Sequence, residues 1–237
     1  MSDSRASNKY LDIITVFFVT VLVISNIASS AKIVDIGISI FSIPLAFDGG
    51  TLLFPLAYVL GDILTEVYGF RAARKAIYTG FIILAFSALV FFVLRILPGE
   101  AHWEKEAGSD AYDAILGGIS SGGIVLASLT AYLAGNFFNS MMLSKIKVIM
   151  QGRMLWFRAI VSSLAGEFLD SLIFVSIACL TGVFGWYLFI NLVLTNYILK
   201  CLIEALVLPL TYTVVRRLKK IEGIDTFDKG IKYRLFG

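Results

Sequence analysis

The sequence predicts an all-α fold: a polytopic membrane helix bundle of six transmembrane helices with both ends of the chain in the cytoplasm. Three observations carry that expectation. Of the 237 residues, 58% are hydrophobic and 16% charged, with a mean hydropathy of +0.87; soluble domains carry about a quarter charged residues. The apolar residues gather into runs of about twenty, long enough to cross a hydrocarbon core of ~30 Å as helices. Strand-type alternation is missing from those runs, which argues against an outer-membrane barrel.

The runs define one membrane domain over residues 1–237, taken here in order. Leu11–Ala31 is longer than the apolar core of a secretory signal, so it reads as a span rather than a cleaved leader, despite the small residues of "IASSA". Thr51–Tyr68 follows the lead-in "SIFSIPLAFDGG" and contains two acids, Asp62 and Glu66. Ala76–Leu97 starts after the basic cluster Arg71, Arg74 and Lys75. Ile119–Met142 lies in "GGISSGGIVLASLTAYLAG", with small residues at Gly118, Gly122, Ala127, Ala131 and Gly135. Such spacing lets helix backbones approach closely in lipid, either within the bundle or against a second copy of the chain as a homodimer. Trp156–Thr181 and Trp186–Val215 complete the set, and the polar tail 216–237 reads as an interfacial cap.

Orientation comes from the loops. Arg5 and Lys9, the Arg71–Lys75 cluster, then Lys145, Lys147, Arg153 and Arg158, and finally Arg216, Arg217, Lys219 and Lys220 fall on alternate connections. The longest intervening loop, "PGEAHWEKEAGSDAYDA", is acidic. Basic loops stay in the cytoplasm, so six crossings with both termini inside satisfy every connection.

Other function classes are poorly served. Cys179 and Cys201 sit in apolar runs as small hydrophobes, and the single histidine, His102, lies in a polar loop. No P-loop or dinucleotide fingerprint occurs. The expectation is therefore no cofactor, no metal, no nucleic-acid partner and no catalytic role; an intramembrane acid-dyad hydrolase lacks any recognisable motif.

The acids within the spans carry the functional reading. Asp62 and Glu66 are four residues apart, as are Lys200 and Glu204, and Glu167 and Asp170 are three apart. Each spacing places its pair on one helical face. Glu167 is nine residues beyond Arg158, so a rise of about 1.5 Å per residue puts it ~13 Å into the bilayer. Ionisable groups at that depth cost roughly 2.5–3.5 kcal/mol each on insertion scales and face a polar cavity or one another. Lys200 and Glu204 either neutralise each other or serve such a cavity; Asp62 and Glu66 either pair with Arg71 or Arg74 or line a cytoplasmic gate. Glu167 and Asp170 share a turn without a base. Asn26 and Asn196 add amides at similar depth. A faint echo between "GDILTEVYG" and "GEFLDSLIF", on helices of opposite direction, is the pattern of an inverted repeat.

Three segments, "FDGGTLLFPLAYVLGDILTEVYG", "GEFLDSLIF" and "TNYILKCLIEALVLPLTY", resemble the signature stretches of the vitamin uptake transporter family, the bacterial queuosine-precursor transporters. The resemblance extends from "SNI" at Ser25 to "GIDTFD" at Gly223. It implies import of a cyano- or aminomethyl-deazaguanine base across the bacterial inner membrane, for queuosine modification of transfer RNA. Six helices of this size also suit the substrate-binding subunit of an energy-coupling-factor vitamin importer. A guanine-like base offers adjacent N–H donors that a carboxylate accepts side by side. Glu167, Asp170, Lys200 and Glu204, with Asn26 and Asn196, are the expected polar contacts. Phe54 and Tyr58, with Phe168 and Tyr197, are candidates to clamp the ring. Asp62 and Glu66 are expected on the cytoplasmic side of that site.

Overall fold

The computed structural model describes residues 8–40 and 43–235. Six segments are long and apolar enough to cross a membrane: Leu11–Ala31, Gly49–Tyr68, Phe70–Ile96, Gly108–Ile149, Leu155–Leu180 and Trp186–Glu222. The chain is thus a multi-pass membrane protein. The third span begins six residues earlier than expected, because its polar first turn continues the helix, and the fourth eleven earlier, because a separate helix precedes the expected one.

The first span is a single helix, α1 (Leu11–Ala31). The second opens with a 3₁₀ turn, Gly49–Leu52, and continues as α2 (Phe54–Ile63), whose first turn accommodates Pro55. It ends in a π-type turn, Leu64–Tyr68, stopped by Gly69 at φ 87°. The third span is α3 (Phe70–Ile96). A short helix, α4 (Ala101–Glu106), is capped by Glu100, which accepts the N–H groups of His102 and Trp103. The fourth span is broken into α5 (Gly108–Ser120) and α6 (Gly122–Ile149). A tight turn with Gln151, Gly152 and Met154 at positive φ leads to α7 (Leu155–Leu180). The last span contains α8 (Phe189–Glu222), closed by Gly223 at φ 67°.

One element was not anticipated. Between α1 and the second span, Ile33–Ile40 and Ile43–Asp48 pair as an antiparallel hairpin, β1 and β2. Its base is tied by the Gly49 N–H donating to the Lys32 carbonyl at 2.8 Å. β1 carries Ile33, Val34, Ile36, Ile38 and Ile40, β-branched residues that favour strands; the hairpin adds to the helical bundle without altering the six crossings.

The start of α1 and the end of α8 lie on one face. The backbone N–H groups of Lys9 and Tyr10 donate to the Glu222 carboxylate at the end of α8, at 3.1 and 2.8 Å. That face is called the terminal side below, and the opposite one the hairpin side.

The main core gathers Phe18 and Leu22 of α1, Leu60 and Leu64 of the second span, and Ile77 of α3. Tyr132 of α6 and Val215 of α8 join it. The small-residue stripe is used inside the bundle: Ala127 and Ala131 are buried, and Gly135 meets Gly166 of α7. A Cβ on either glycine would stand 3.0 Å from the other's carbonyl oxygen. Only a glycine pair permits that crossing. Exposed apolar side chains such as Ile82, Phe86 and Leu206 form the outer, lipid-facing surface.

Candidate functional site

A cavity of about 490 Å³ occupies the hairpin-side half of the bundle, a size typical of small-ligand sites. Its wall reaches from Ser30, Gly118 and Phe184 near the hairpin end to Asn136 and Lys200 at mid-depth. Most of its lining is apolar, with polar groups at two places.

The first is the floor. Lys200 of α8 forms an ion pair with Asp170 of α7. Its ammonium also lies over the Phe54 ring, 5.2 Å from the centroid, within cation–π range. Asn196 lies one turn before Lys200 and lines the same wall. Tyr58 of α2 is buried, and its hydroxyl has no hydrogen-bond partner among the described residues. It rests against Gly135 near Asp170: a Cβ on that glycine would meet the hydroxyl at 2.6 Å and the Asp170 Cβ at 2.8 Å. Asn136 donates its amide to the Tyr132 carbonyl at 3.1 Å.

The second polar place is on α1 and α6. Ser128 Oγ donates to Asn26 Oδ1 at 2.5 Å, and Asn26 Nδ2 donates to the Leu22 carbonyl at 2.9 Å. Ser29 and Ser30 lie one turn further toward the hairpin. The two places put acceptors and donors at both ends of an apolar slot, which suits a flat heterocycle with polar edges.

Of the expected site residues, Asn26, Phe54, Tyr58, Asp170, Asn196 and Lys200 line this cavity. Glu167 and Glu204 do not; they are packed behind the floor. Glu167 Oε2 accepts the Cys201 thiol at 3.0 Å, while its Oε1 and the Glu204 Oε2 have no hydrogen-bond partner among the described residues. Lys200 therefore pairs with Asp170 across helices rather than with Glu204 on its own. Phe168 is 46% exposed on the outer surface, edge-on to Tyr197. Asn136, another of the asparagines that the spans hold, lines the cavity too, whereas sequence reasoning missed Ser128, Phe174 and Phe184. Phe174 and Phe184 meet edge-to-face at 6.3 Å on the cavity wall. In so apolar a chain no spacing singles out those aromatics.

Asp62 and Glu66 lie on the terminal side of the floor. Asp62 Oδ1 accepts the Asn139 amide at 2.8 Å. Glu66 is enclosed by three cations: Arg158 at 2.6 and 3.2 Å, Lys219 at 2.5 Å and Lys147 at 3.4 Å. Arg71 and Arg74 take no part in that cluster; Arg74 instead donates to the Arg234 carbonyl at 3.0 Å. Pairing a fully buried carboxylate with several donors offsets the cost of removing it from water.

The tail joins this cluster. Lys147 Nζ donates to the Glu66 carbonyl, to Asp225 Oδ1 and to the Thr226 carbonyl, at 2.6, 2.6 and 2.7 Å. Asp228 accepts the Phe70 N–H and the Ser144 hydroxyl, at 2.8 and 2.7 Å. Burial works to raise the Asp225 carboxyl, but hydrogen bonds from Lys147 and Lys219 hold it below the usual carboxylate range. The cavity and the ionic cluster thus lie on opposite sides of the floor.

The two Gly-acid segments meet across α6. Gly61 faces Asn136, with a Cβ there 3.9 Å from its Oδ1, and Gly166 packs on Asn139. Both asparagines come from "GNFFN", Gly135–Asn139. Among the described residues, no three His, Cys, Asp or Glu side chains converge as a metal cage.

Comparison with known proteins adds family context. Residues 48–214 match a family described as "Putative vitamin uptake transporter". That span holds every acid discussed above from Asp62 to Glu204, but leaves out α1 and the tail. A "Probable queuosine precursor transporter" of Bacillus subtilis (strain 168) is 25% identical over 174 residues, covering 73% of this chain and 73% of that protein. A protein of the same description from Haemophilus influenzae (strain ATCC 51907 / DSM 11121 / KW20 / Rd) is 25% identical over 130 residues, covering 54% and 50%. No solved structure matches the chain.

Proposed function

We propose a transport function on one premise: the chain belongs to the family described as "Putative vitamin uptake transporter". It imports a queuosine-precursor base, a cyano- or aminomethyl-deazaguanine, across the bacterial inner membrane into the cytoplasm. The base lies in the hairpin-side cavity, its donor edge toward Asp170 and its acceptors toward Lys200 and Asn196. Phe54 and Tyr58 bound its ring faces, and Asn26 with Ser128 reads its far end.

The observation that carries this reading is the Asp170–Lys200 pair at the floor of an otherwise apolar cavity. A carboxylate beside an ammonium offers acceptor and donor to neighbouring atoms of one planar ligand, as guanine-like edges require. The curated relatives' descriptions support that substrate class. Glu66 and its cations, with the tail, form the seal on the cytoplasmic side. The positive-inside rule supports this orientation, since Lys147, Arg158 and Lys219 all belong to the terminal side.

The test is uptake of labelled cyano-deazaguanine by cells lacking their own transporter. Cells expressing this chain accumulate the label, and Asp170→Asn reduces accumulation at least roughly tenfold, the worth of one lost charge-assisted hydrogen bond. Uptake equal to that of empty cells removes the function.

A further inference from the structure

Behind the cavity floor lies a second polar cluster that substrate binding leaves unused. Glu167 of α7 and Glu204 of α8 are buried side by side, 0% and 6% exposed, with their carboxyls in contact. Each carboxyl keeps one buried oxygen, Glu167 Oε1 and Glu204 Oε2, without a hydrogen-bond partner among the described residues. Ser163, one turn before Glu167, directs its hydroxyl at the Glu204 carboxyl without forming a well-aligned bond. That hydroxyl too is buried and, among the described residues, without a hydrogen-bond partner.

The surrounding charge does not balance. Asp62 of α2 and Asp170 of α7 lie within electrostatic reach of these acids. Tyr58 of α2, with Cys201 and Tyr197 of α8, are the other titratable neighbours. Among the described residues, Lys200 faces the cluster and is engaged by Asp170; the next cation, Arg158, is held by Glu66. Buried charges persist in low dielectric only when compensated. One proton between Glu167 and Glu204 makes a donor of one acceptor and satisfies both. A sodium ion bound by the same two carboxyls and the Ser163 hydroxyl does the same.

We propose that Glu167, Glu204 and Ser163 form a binding site for one monovalent cation, H⁺ or Na⁺, which moves with the base. The site sits directly behind the Asp170–Lys200 pair, on the same helices, so filling one alters the charge felt by the other. This coupling rests on the transport reading above, whereas occupation of the cation site does not.

Two experiments separate them. The first is thermal melting of the detergent-solubilised full chain, without any base. It compares sodium with choline chloride at equal ionic strength, and pH 5.5 with pH 8.5. Melting of the wild type depends on sodium or on pH, and Glu167→Gln, Glu204→Gln and Ser163→Ala each remove most of that dependence. The sodium arm identifies Na⁺, the pH arm H⁺. Equal responses from the wild type and all three variants overturn the site, whatever the protein transports. The second is uptake of cyano-deazaguanine by proteoliposomes under an imposed pH or sodium gradient. One coupled H⁺ raises accumulation up to roughly tenfold per pH unit, and Glu204→Gln abolishes the ratio between gradient and no gradient. Uptake that ignores both gradients overturns the coupling alone. Absence of any base uptake by the wild type counts against the transport reading, and the melting result still decides the cation site.

Discussion

Lys200 of α8 and Asp170 of α7 are joined as an ion pair at the floor of the hairpin-side cavity, their side chains 9% and 14% exposed. Neither is a neighbour of the other in sequence, so the pair fixes the relative register of the last two spans. It also leaves a charged surface facing the cavity.

Removing one member strands the other. Lys200→Met is expected to lower stability by about 3–5 kcal/mol, the usual result of breaking a buried pair. Asp170→Asn combined with Lys200→Met recovers a large part of it. Melting of the purified variants in detergent measures both, and a double variant as unstable as the worse single one contradicts the pairing.

The Glu66 cluster gives a parallel expectation on the other side of the floor. Glu66→Gln leaves Arg158, Lys147 and Lys219 crowded without their buried anion, and about 3–5 kcal/mol of stability is lost. Arg71→Ala and Arg74→Ala, outside the cluster, cost less than about 1 kcal/mol. Equal losses at Glu66 and Arg71 would restore the pairing that sequence spacing suggested.

The tail contact has a defined pH dependence. Because the Asp225 carboxyl is held below its ordinary value in the folded chain, its contribution is complete above the unfolded value of about 3.9. It is lost as pH falls through that value and on through the lower, folded one. Acid therefore loosens the tail from Lys147. Protection of tail residues 224–228 in hydrogen exchange should decline at acid pH in the wild type and be low at all pH values in Asp225→Asn.

The α6–α7 crossing is expected to tolerate nothing larger than glycine at its centre. A Cβ at Gly166 would stand 2.7 Å from the Asn139 Cβ and 3.0 Å from the Gly135 carbonyl. Gly166→Ala therefore costs about 1–3 kcal/mol by overpacking, and Gly166→Leu yields no folded protein in detergent. Size-exclusion profiles of the two variants check this. Gly122, which has open space around an added Cβ, accepts Ala without effect.

The six spans were legible because membrane crossing demands long apolar runs, and the small residues of α6 announced a close helix contact. Simple rise per residue put Glu167 and Lys200 toward the middle of their spans. Partner choice did not. Spacing on one helix suggested Lys200 with Glu204 and Glu66 with Arg71 or Arg74, whereas the pairs that form, Lys200–Asp170 and Glu66–Arg158, join different spans. Helix rotation and register decide such contacts, and one chain's periodicity does not encode them. The same holds for Glu167 and Glu204, which share the depth of the cavity but turn behind its floor. The hairpin was missed because its β-branched residues sit between two spans and resemble a continuation of them.

The most direct measurement is calorimetric titration of the purified chain with cyano-deazaguanine, comparing the wild type, Asp170→Asn and Phe168→Ala. The expected result is saturable binding by the wild type, weakened at least about tenfold by Asp170→Asn and unchanged by Phe168→Ala on the outer surface. Equal affinity in wild type and Asp170→Asn contradicts the assignment of the base to the hairpin-side cavity.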